Sequence, residues 1–234
     1  MSPSKIASDV RFYYGGYDPG LSTTSISVTL IADPLDATAL PDVAERAIAG
    51  IRKDSVEYAG LFDDQAQDFD QAQAALLTTG TAVLSVLFGT GLGNVAYSGT
   101  AWLLAAKNPA AIGDLVKQEA VFKPDLTMER GVVSTPKITV TTTGTTGSVD
   151  NTGSTTAGGN FYLHIFGYTG GGTGRVALRH SAIGTGTGWA DLGTVAGITG
   201  TSSYKVALSG TVARYTRVEG TGTSFQIAGV LVRS

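Results

Sequence analysis

The residues of this chain that are best able to do chemistry are two histidines and its many serines. His164 and His180 both lie in segments with the alternating pattern of β-strands, and neither has a carboxylate pair or a second ligand close by in sequence. No G-x-S-x-G motif, the turn that presents a nucleophilic serine in many hydrolases, occurs in the sequence. The sequence therefore predicts no catalytic residue, no metal site and no cofactor.

An acidic group provides the other candidate for chemistry. It consists of Asp63, Asp64, Asp68 and Asp70, but the glycine and the terminal glutamate of a calcium-binding EF-hand loop are missing. Asp68 followed three residues later by Gln71 matches a capping box, and a helix N-terminus favours negative charge. The group therefore predicts the start of a short helix, with an apolar stripe at Phe69, Ala72 and Leu76 and a C-cap at Gly80.

The helix is predicted to lie between two strands, in a first half that is otherwise all β. Apolar residues alternate or cluster in the segments VRFYY, TSISVTLIA, DSVEYAGLF, TAVLSVLF, NVAYSGTAWLLAAK and GDLVKQEAVF, which are separated by turn residues. A glycine-rich stretch at 89–94 is followed by a β-like run and no helix, so it predicts a hairpin turn and no phosphate-binding loop. The first half is therefore predicted to be a sheet with one helix beside it.

Charge and glycine content divide the chain near Thr135. Residues 1–135 hold nine Lys/Arg and sixteen Asp/Glu, whereas residues 136–234 hold seven and three, which gives net charges of −7 and +4. Of the 32 glycines, 20 lie in the last 99 residues. This change predicts two domains, 1–135 and 136–234, with residues 123–135 as a linker. Because there is no cysteine, no apolar signal segment and no run of 18 apolar residues, we expect neither disulfides, secretion nor membrane insertion.

The second half is predicted to be an immunoglobulin-like or jelly-roll β-sandwich without helices. Short β-like runs follow one another between Gly, Thr and Ser turns. Residues 145–159 have the composition of a flexible connector. Four aromatic residues would make a surface for carbohydrate if they shared a face: Tyr168, Trp189, Tyr204 and Tyr215.

A long connection at residues 32–53 separates two of the first strands. A loop of this length in a compact domain is usually functional or disordered. Its apolar residues Leu40, Val43, Ile48 and Ile51 would be poor choices for a loop in solvent. We expect these four residues to contact a neighbouring subunit.

In the order of these segments, the first half resembles the major tail (tail tube) proteins of long-tailed bacteriophages. The resemblance covers residues 1 to about 135 and rests on VRFYYGGYDPG, TSISVTLIADPLDAT, the long loop, VEYAGLFDD, the helix DFDQAQAALL and GDLVKQEAVFKPDLTMERG. It implies a tail-tube-type β-sandwich or barrel with one flanking helix, and hexameric rings that stack into a tube. The glycine-rich second half is not part of that family's core.

The resemblance also implies a function and partners. The chain would be a structural virion protein in the tail, assembled in the host cytoplasm, with itself and the terminator, tape measure and distal tail proteins as partners. DNA would pass through without specific binding during genome ejection, along a wall on which we expect the acidic excess to concentrate. The second half would be an autonomous, outward-facing accessory domain with weak contact to host polysaccharide.

Two other interpretations stay open from the sequence. A capsid decoration or other virion surface protein would also suit two β domains. A carbohydrate-binding module centred on residues 136–234 belongs to a different functional class.

Overall fold

The computed structural model describes residues 9–36, 47–62, 69–77, 80–112, 114–169, 172–222 and 224–234, and these residues form a mainly β fold as predicted. In the first 140 residues, a helix, α1 (Phe69–Leu76), lies between strands five and six. The strands of this part are β1 (Val10–Tyr14), β2 (Thr23–Thr29), β3 (Ala32–Asp36), β4 (Ala47–Arg52), β5 (Ser55–Leu61), β6 (Ala82–Phe88), β7 (Val95–Lys107), β8 (Lys117–Pro124) and β9 (Glu129–Val140).

The single predicted helix is confirmed, and its ends differ from the prediction. The predicted N-cap, Asp68, and Asp63 and Asp64 lie outside the described residues. The helix ends at Leu76, so Gly80 is not its cap. Gly80 instead has φ +97° in the approach to β6, a conformation that glycine adopts without strain.

The described part of the second half contains strands and no helix. Its strands are β10 (Thr143–Thr145), β11 (Val149–Asp150), β12 (Gly159–Phe166), β13 (Gly174–Ser181), β14 (Ala190–Ile198), β15 (Ser202–Leu208), β16 (Tyr215–Thr221) and β17 (Phe225–Arg233). The flexible connector predicted at 145–159 is wrong, because β10 and β11 both pair with β16, and Asn151 is buried with its side chain bonded to Thr216 and the Arg214 carbonyl. The pattern did not reveal β14, which alternates poorly.

One ten-stranded antiparallel sheet runs through both halves of the chain. Its order is β15-β12-β17-β9-β7-β8-β5-β2, and β6 and β1 continue from the other edge of β7. A second sheet has the order β10-β16-β13-β14, and β11 also pairs with β16. It packs on the end of the large sheet. The hairpin β3-β4 forms a separate two-stranded ribbon.

The described residues form three hydrophobic cores between these sheets. The first core lies between β1-β6 and the strands β2, β5 and β8, with Phe12, Tyr58 and Phe122 in contact. The second core lies between the two sheets of the C-terminal half. The third core, called the seam here, joins the halves and consists of Tyr13, Val83, Leu87, Ala96, Val133, Tyr162, Phe166, Ala228, Val230 and Val232.

The linker predicted at 123–135 is wrong. Residues 129–140 form the continuous strand β9, which pairs with β7 of the first half and β17 of the second. The strand was difficult to predict because it contains Pro136, and proline is rare in a strand that has neighbours on both sides. It is accommodated at an irregularity in the register, between the pairs Gly229 with Thr135 and Ile227 with Ile138. The predicted boundary after Thr135 therefore falls inside a strand, and the second half packs as a layer of one body.

Candidate assembly surfaces

The two histidines lie in strands, as predicted. His164 Nε2 is 2.9 Å from the Ser85 hydroxyl, which is 2.8 Å from the Ser98 hydroxyl. All three side chains are fully buried. Burial lowers the pKa of His164 to about 3, so the imidazole is neutral at physiological pH.

This buried group is structural. It ties β12 of the second half to β6 and β7 of the first beside the seam, where no substrate in solvent can reach it. In the second sheet, His180 Nδ1 accepts a hydrogen bond from the Ala213 amide at 3.2 Å. Among the described residues, no three side chains of the metal-ligating types form a cluster.

The long connection at 32–53 contains a two-stranded ribbon, and this connection together with Ile31 is called the arm here. Its strands β3 and β4 pair Leu35 with Ile48 and Asp36 with Ala47. Residues 37–46, which include Leu40 and Val43, lie outside the described residues. Ile48 is 56% exposed and Ile51 79% exposed. Ile31 and Leu35, which the sequence reading did not single out, are each about half exposed. The arm therefore presents apolar side chains to solvent.

The base of the arm is fixed to the body by a buried carboxylate. Asp54 is 1% exposed, accepts a hydrogen bond from the Met128 amide at 2.8 Å and pairs with Arg52 at 2.7 Å. The Lys53 amide also donates to the Ile31 carbonyl at 2.7 Å. A two-stranded ribbon is marginal by itself in water, so these contacts hold the arm where it leaves the sheet.

The four strands β7, β8, β5 and β2 bury one face in the first core and leave the other, called the open face here, to solvent. Register and burial place on the open face Ser25, Ser27, Glu57, Ala59, Leu61, Trp102, Ala105, Lys107, Lys117, Glu119, Val121 and Lys123, among others. Its centre is a shallow trough of about 220 Å³, lined half by serine and alanine and half by larger residues, among them Glu57, Lys107 and Glu119. The sequence signal for this face was the alternation of small polar and apolar residues in TSISVTLIA.

The open face is not the acidic surface that the net charge suggested. Glu57 and Glu119 share it with three lysines. Other carboxylates of the first half lie elsewhere in the structure, such as Asp33 and Asp36 on the arm and Asp70 on the helix. The expected concentration of acidic residues therefore does not exist on this sheet, because its strands alternate small and mixed-charge residues.

The four aromatic candidates of the second half do not come together on one sheet. Trp189 is 7% exposed, and the Arg217 guanidinium lies 4.3 Å from its ring centre. Tyr168 stacks on Phe225 after β12, Tyr204 lies on β15, and Tyr215 lies on β16 of the other sheet. A single aromatic surface for carbohydrate is therefore not formed by these four residues.

The surface of the second half carries ion pairs between arginines and carboxylates instead. Arg214 lies over the Tyr215 ring and binds Asp150 at 2.6 Å, and the hydrogen bond from this guanidinium lowers the pKa of Asp150 to about 2. Arg179 binds Glu219 at 2.9 Å and Asp191 at 3.0 Å. Most of the positive charge is thus partnered, which leaves only weak attraction for polyanions.

No protein-family model and no curated protein sequence matches this chain. Solved structures to which this chain is similar include the following three. A chain of the virion of a native gene transfer agent particle is 13% identical, with a TM-score of 0.48 over 54% of this chain and 98% of that chain.

The second is a chain of the PVC sheath-tube complex, an extracellular contractile injection system in the extended state. It is 13% identical, with a TM-score of 0.45 over 57% of this chain and 95% of its own length. The third, the SPP1 Dit protein, described as a hub adsorption apparatus of phages that infect Gram-positive hosts, is 12% identical, with a TM-score of 0.39 over 94% and 98%. No helix among the described residues is long and apolar enough to cross a membrane.

Proposed function

We propose that this chain is a non-enzymatic structural subunit of a phage-type tail, which forms hexameric rings that stack into the tube through which the genome is ejected. The observation that carries the proposal is the arm, an apolar ribbon that is anchored at its base. It extends from one end of the sheet that carries the open face. Such a ribbon costs stability in an isolated molecule, since its apolar side chains gain nothing in water. In stacked rings those side chains would be buried.

Open strand edges in the first half support ring formation. Among the described residues, β1 pairs with the strand β6 and β2 with the strand β5, and no other described strand pairs with either of them. Free edges invite uncontrolled association in a monomer, whereas a closed ring pairs or covers all of them. A ring of identical subunits is therefore the assembly that these edges favour.

The open face suits the wall of a channel. The two glutamates among its three lysines limit the number of phosphates that the wall can neutralise. DNA would pass without being captured. The partners at the ends of such a tube would be the terminator, tape measure and distal tail proteins, and the tube would assemble in the host cytoplasm before it becomes part of the virion.

The second half would form the outer layer of the same ring. It covers the seam and places its second sheet on the side of the molecule away from the first core. Its net charge of +4 would give weak, multivalent contact with acidic host polysaccharides when repeated along a tube. Shielding of the tube is the simpler alternative role.

Electron microscopy of the concentrated protein tests the proposal. Hollow tubes of stacked rings are the expected result. Trimers that bind only to capsids would instead identify a decoration protein, and single rings that never stack would identify a one-ring hub. A monomer at all concentrations would refute each of these assemblies.

A further inference from the structure

We propose that Arg217, which is stacked on Trp189, binds a carboxylate group of an acidic polysaccharide. This inference rests on the contact with acidic polysaccharides proposed for the second half, and it names the residue that would make the contact. Arg217 lies on β16, directly opposite Arg179 of β13. Side chains of a strand alternate between its two faces, so Tyr215, Arg217 and Glu219 share the face of the second sheet that points away from the second core. This face is called the outer face here.

Arg217 differs from the other cations of the second half in its lack of an acceptor. Residues 136–234 contain seven Lys/Arg. Six of them contact an oxygen atom: Lys137 with Asp18, Arg175 with Asp191, Arg179 with Glu219, Lys205 with Glu129, Arg214 with Asp150, and Arg233 with the carbonyls of Asn151 and Gly153. Among the described residues, Arg217 has neither an ion pair nor a hydrogen bond, and its Nε atom is buried without an acceptor. Its donors therefore remain available to a ligand.

Trp189 holds the Arg217 guanidinium in place. The centre of its ring lies 4.3 Å from the guanidinium carbon, and Trp189 is itself buried. The Trp189 carbonyl accepts a hydrogen bond from Arg179 Nη2 at 3.1 Å, which fixes the segment before β14 to the same part of the sheet. A guanidinium stacked on an indole keeps its planar fork of donors and loses little conformational freedom when a ligand binds. Because Nε is buried, the ligand would contact the two Nη groups.

The charges around Arg217 favour a ligand group with a single negative charge. Arg179 lies beside it but is held by Glu219 at 2.9 Å and Asp191 at 3.0 Å, and Asp191 also binds Arg175. These three arginines and two carboxylates leave one net positive charge. A carboxylate matches that charge, and its two oxygens match the end of the guanidinium fork. A phosphate with two negative charges would meet the same two carboxylates with one uncommitted cation.

Hydroxyl groups beside this site suit the rest of a sugar ring. β10 pairs with β16 so that Thr145 lies opposite Glu219 and Thr143 opposite Thr221, and both threonines of β10 are exposed. A hydroxyl group can donate and accept hydrogen bonds, as the hydroxyl groups of a sugar do. One such contact on an exposed surface is weak, and its repetition along a tube would raise the avidity.

Fluorescence anisotropy of a dye-labelled oligogalacturonate tests the site. Wild-type protein should bind this ligand and should not bind its methyl ester, which has no carboxylate. Arg217→Gln should raise the dissociation constant about tenfold or more, because hydrogen bonds to a charged group are lost. The matched control, Arg175→Gln, removes one positive charge from the same face and should raise it less than about twofold. Equal losses in both variants, or equal binding of the methyl ester, would overturn the inference.

A second variant separates the shape of the guanidinium from its charge. Arg217→Lys keeps the charge but lacks the planar fork, so it should bind more weakly than wild-type protein even if Arg217→Gln does not fold. Wild-type affinity in Arg217→Lys would overturn the bidentate contact. In a Trp102→Phe background the remaining tryptophan is Trp189, so binding should change the tryptophan emission. Unchanged emission on binding would place the ligand elsewhere and overturn the site.

Competition and electron microscopy distinguish the remaining outcomes. Inorganic phosphate that displaces the oligogalacturonate better than free galacturonate does would identify a phosphate ligand and overturn the assignment to a carboxylate. The anisotropy measurement does not require assembly. Protein that forms tubes but does not bind the oligogalacturonate would therefore refute only this site, whereas protein that binds it but forms no tubes would refute the proposed tube and leave the site.

Discussion

Removal of the second half should unfold the first, because the seam makes them one cooperative unit. Tyr13, Val83, Leu87 and Val133 of the first half are at most 3% exposed and pack on β12 and β17. Burial of each such side chain is worth about 1.5–3 kcal/mol, so exposing the four costs about 6–12 kcal/mol. A domain of ordinary stability has only about 5–15 kcal/mol in total. A fragment of residues 1–140 should therefore be insoluble or partly folded.

A point substitution tests the same reasoning in the intact chain. Ala228→Glu places a carboxylate in the seam, where Ala228 is fully buried, and should lower the free energy of unfolding by about 3 kcal/mol or more. The matched control, Ala196→Glu on an exposed position of β14, should change it by less than about 0.5 kcal/mol. Urea denaturation followed by circular dichroism measures both. A soluble 1–140 fragment with a cooperative transition, or two separate transitions in the full chain, would refute a single unit.

Three further substitutions test local contacts by urea denaturation. His164 has a pKa of about 3 in the folded protein and 6.5 in the unfolded chain, so the unfolded chain takes up a proton first as the pH falls. The free energy of unfolding should therefore fall by about 2–3 kcal/mol between pH 7 and pH 4.5, and this loss should vanish in His164→Gln. An equal loss in the variant would contradict this origin of the pH dependence. Asp54→Ala should cost about 2–4 kcal/mol, because the buried Met128 amide loses its acceptor, and a neutral outcome would mean that the anchor does not matter. Gly16→Ala should lower the free energy of unfolding more than Gly186→Ala. Both glycines have positive φ, but only at Gly16 would an added Cβ contact backbone atoms, the nearest at 2.6 Å. Equal losses would show that the backbone conformation alone decides the cost.

The strands of the first half were predictable where one of their faces is exposed to solvent. In β2 and β5 the residues facing the core alternate with small or charged ones, which gives a period of two. In β6 nearly every residue is buried, because one face lies in the first core and the other in the seam. The apolar run TAVLSVLF records this double burial, but a run of that kind does not say what covers its second face. The seam was therefore hidden from the sequence.

The candidate site was predictable only in part, for a related reason. Ile48 and Ile51 stood out because apolar residues in a long loop need an explanation. A second group of exposed apolar residues, at the end of β5 and the start of β8, did not stand out, since Leu61 and Phe62 continue the alternating pattern of one strand and Leu115 and Val116 directly precede another. Their neighbourhood depends on the pairing of β5 with β8, which is a property of register and not of local pattern.

The position of β17 in the large sheet affects how the protein is made. β17 is translated after all the other described strands, yet it lies in the middle of the sheet, paired with β12 on one side and β9 on the other. On the ribosome, β9 and β12 must wait for it with unpaired edges, and contacts of such long sequence separation form slowly. A prematurely terminated chain therefore lacks the strand that joins the layers, which keeps incomplete products out of a large assembly before any subunit contact is made.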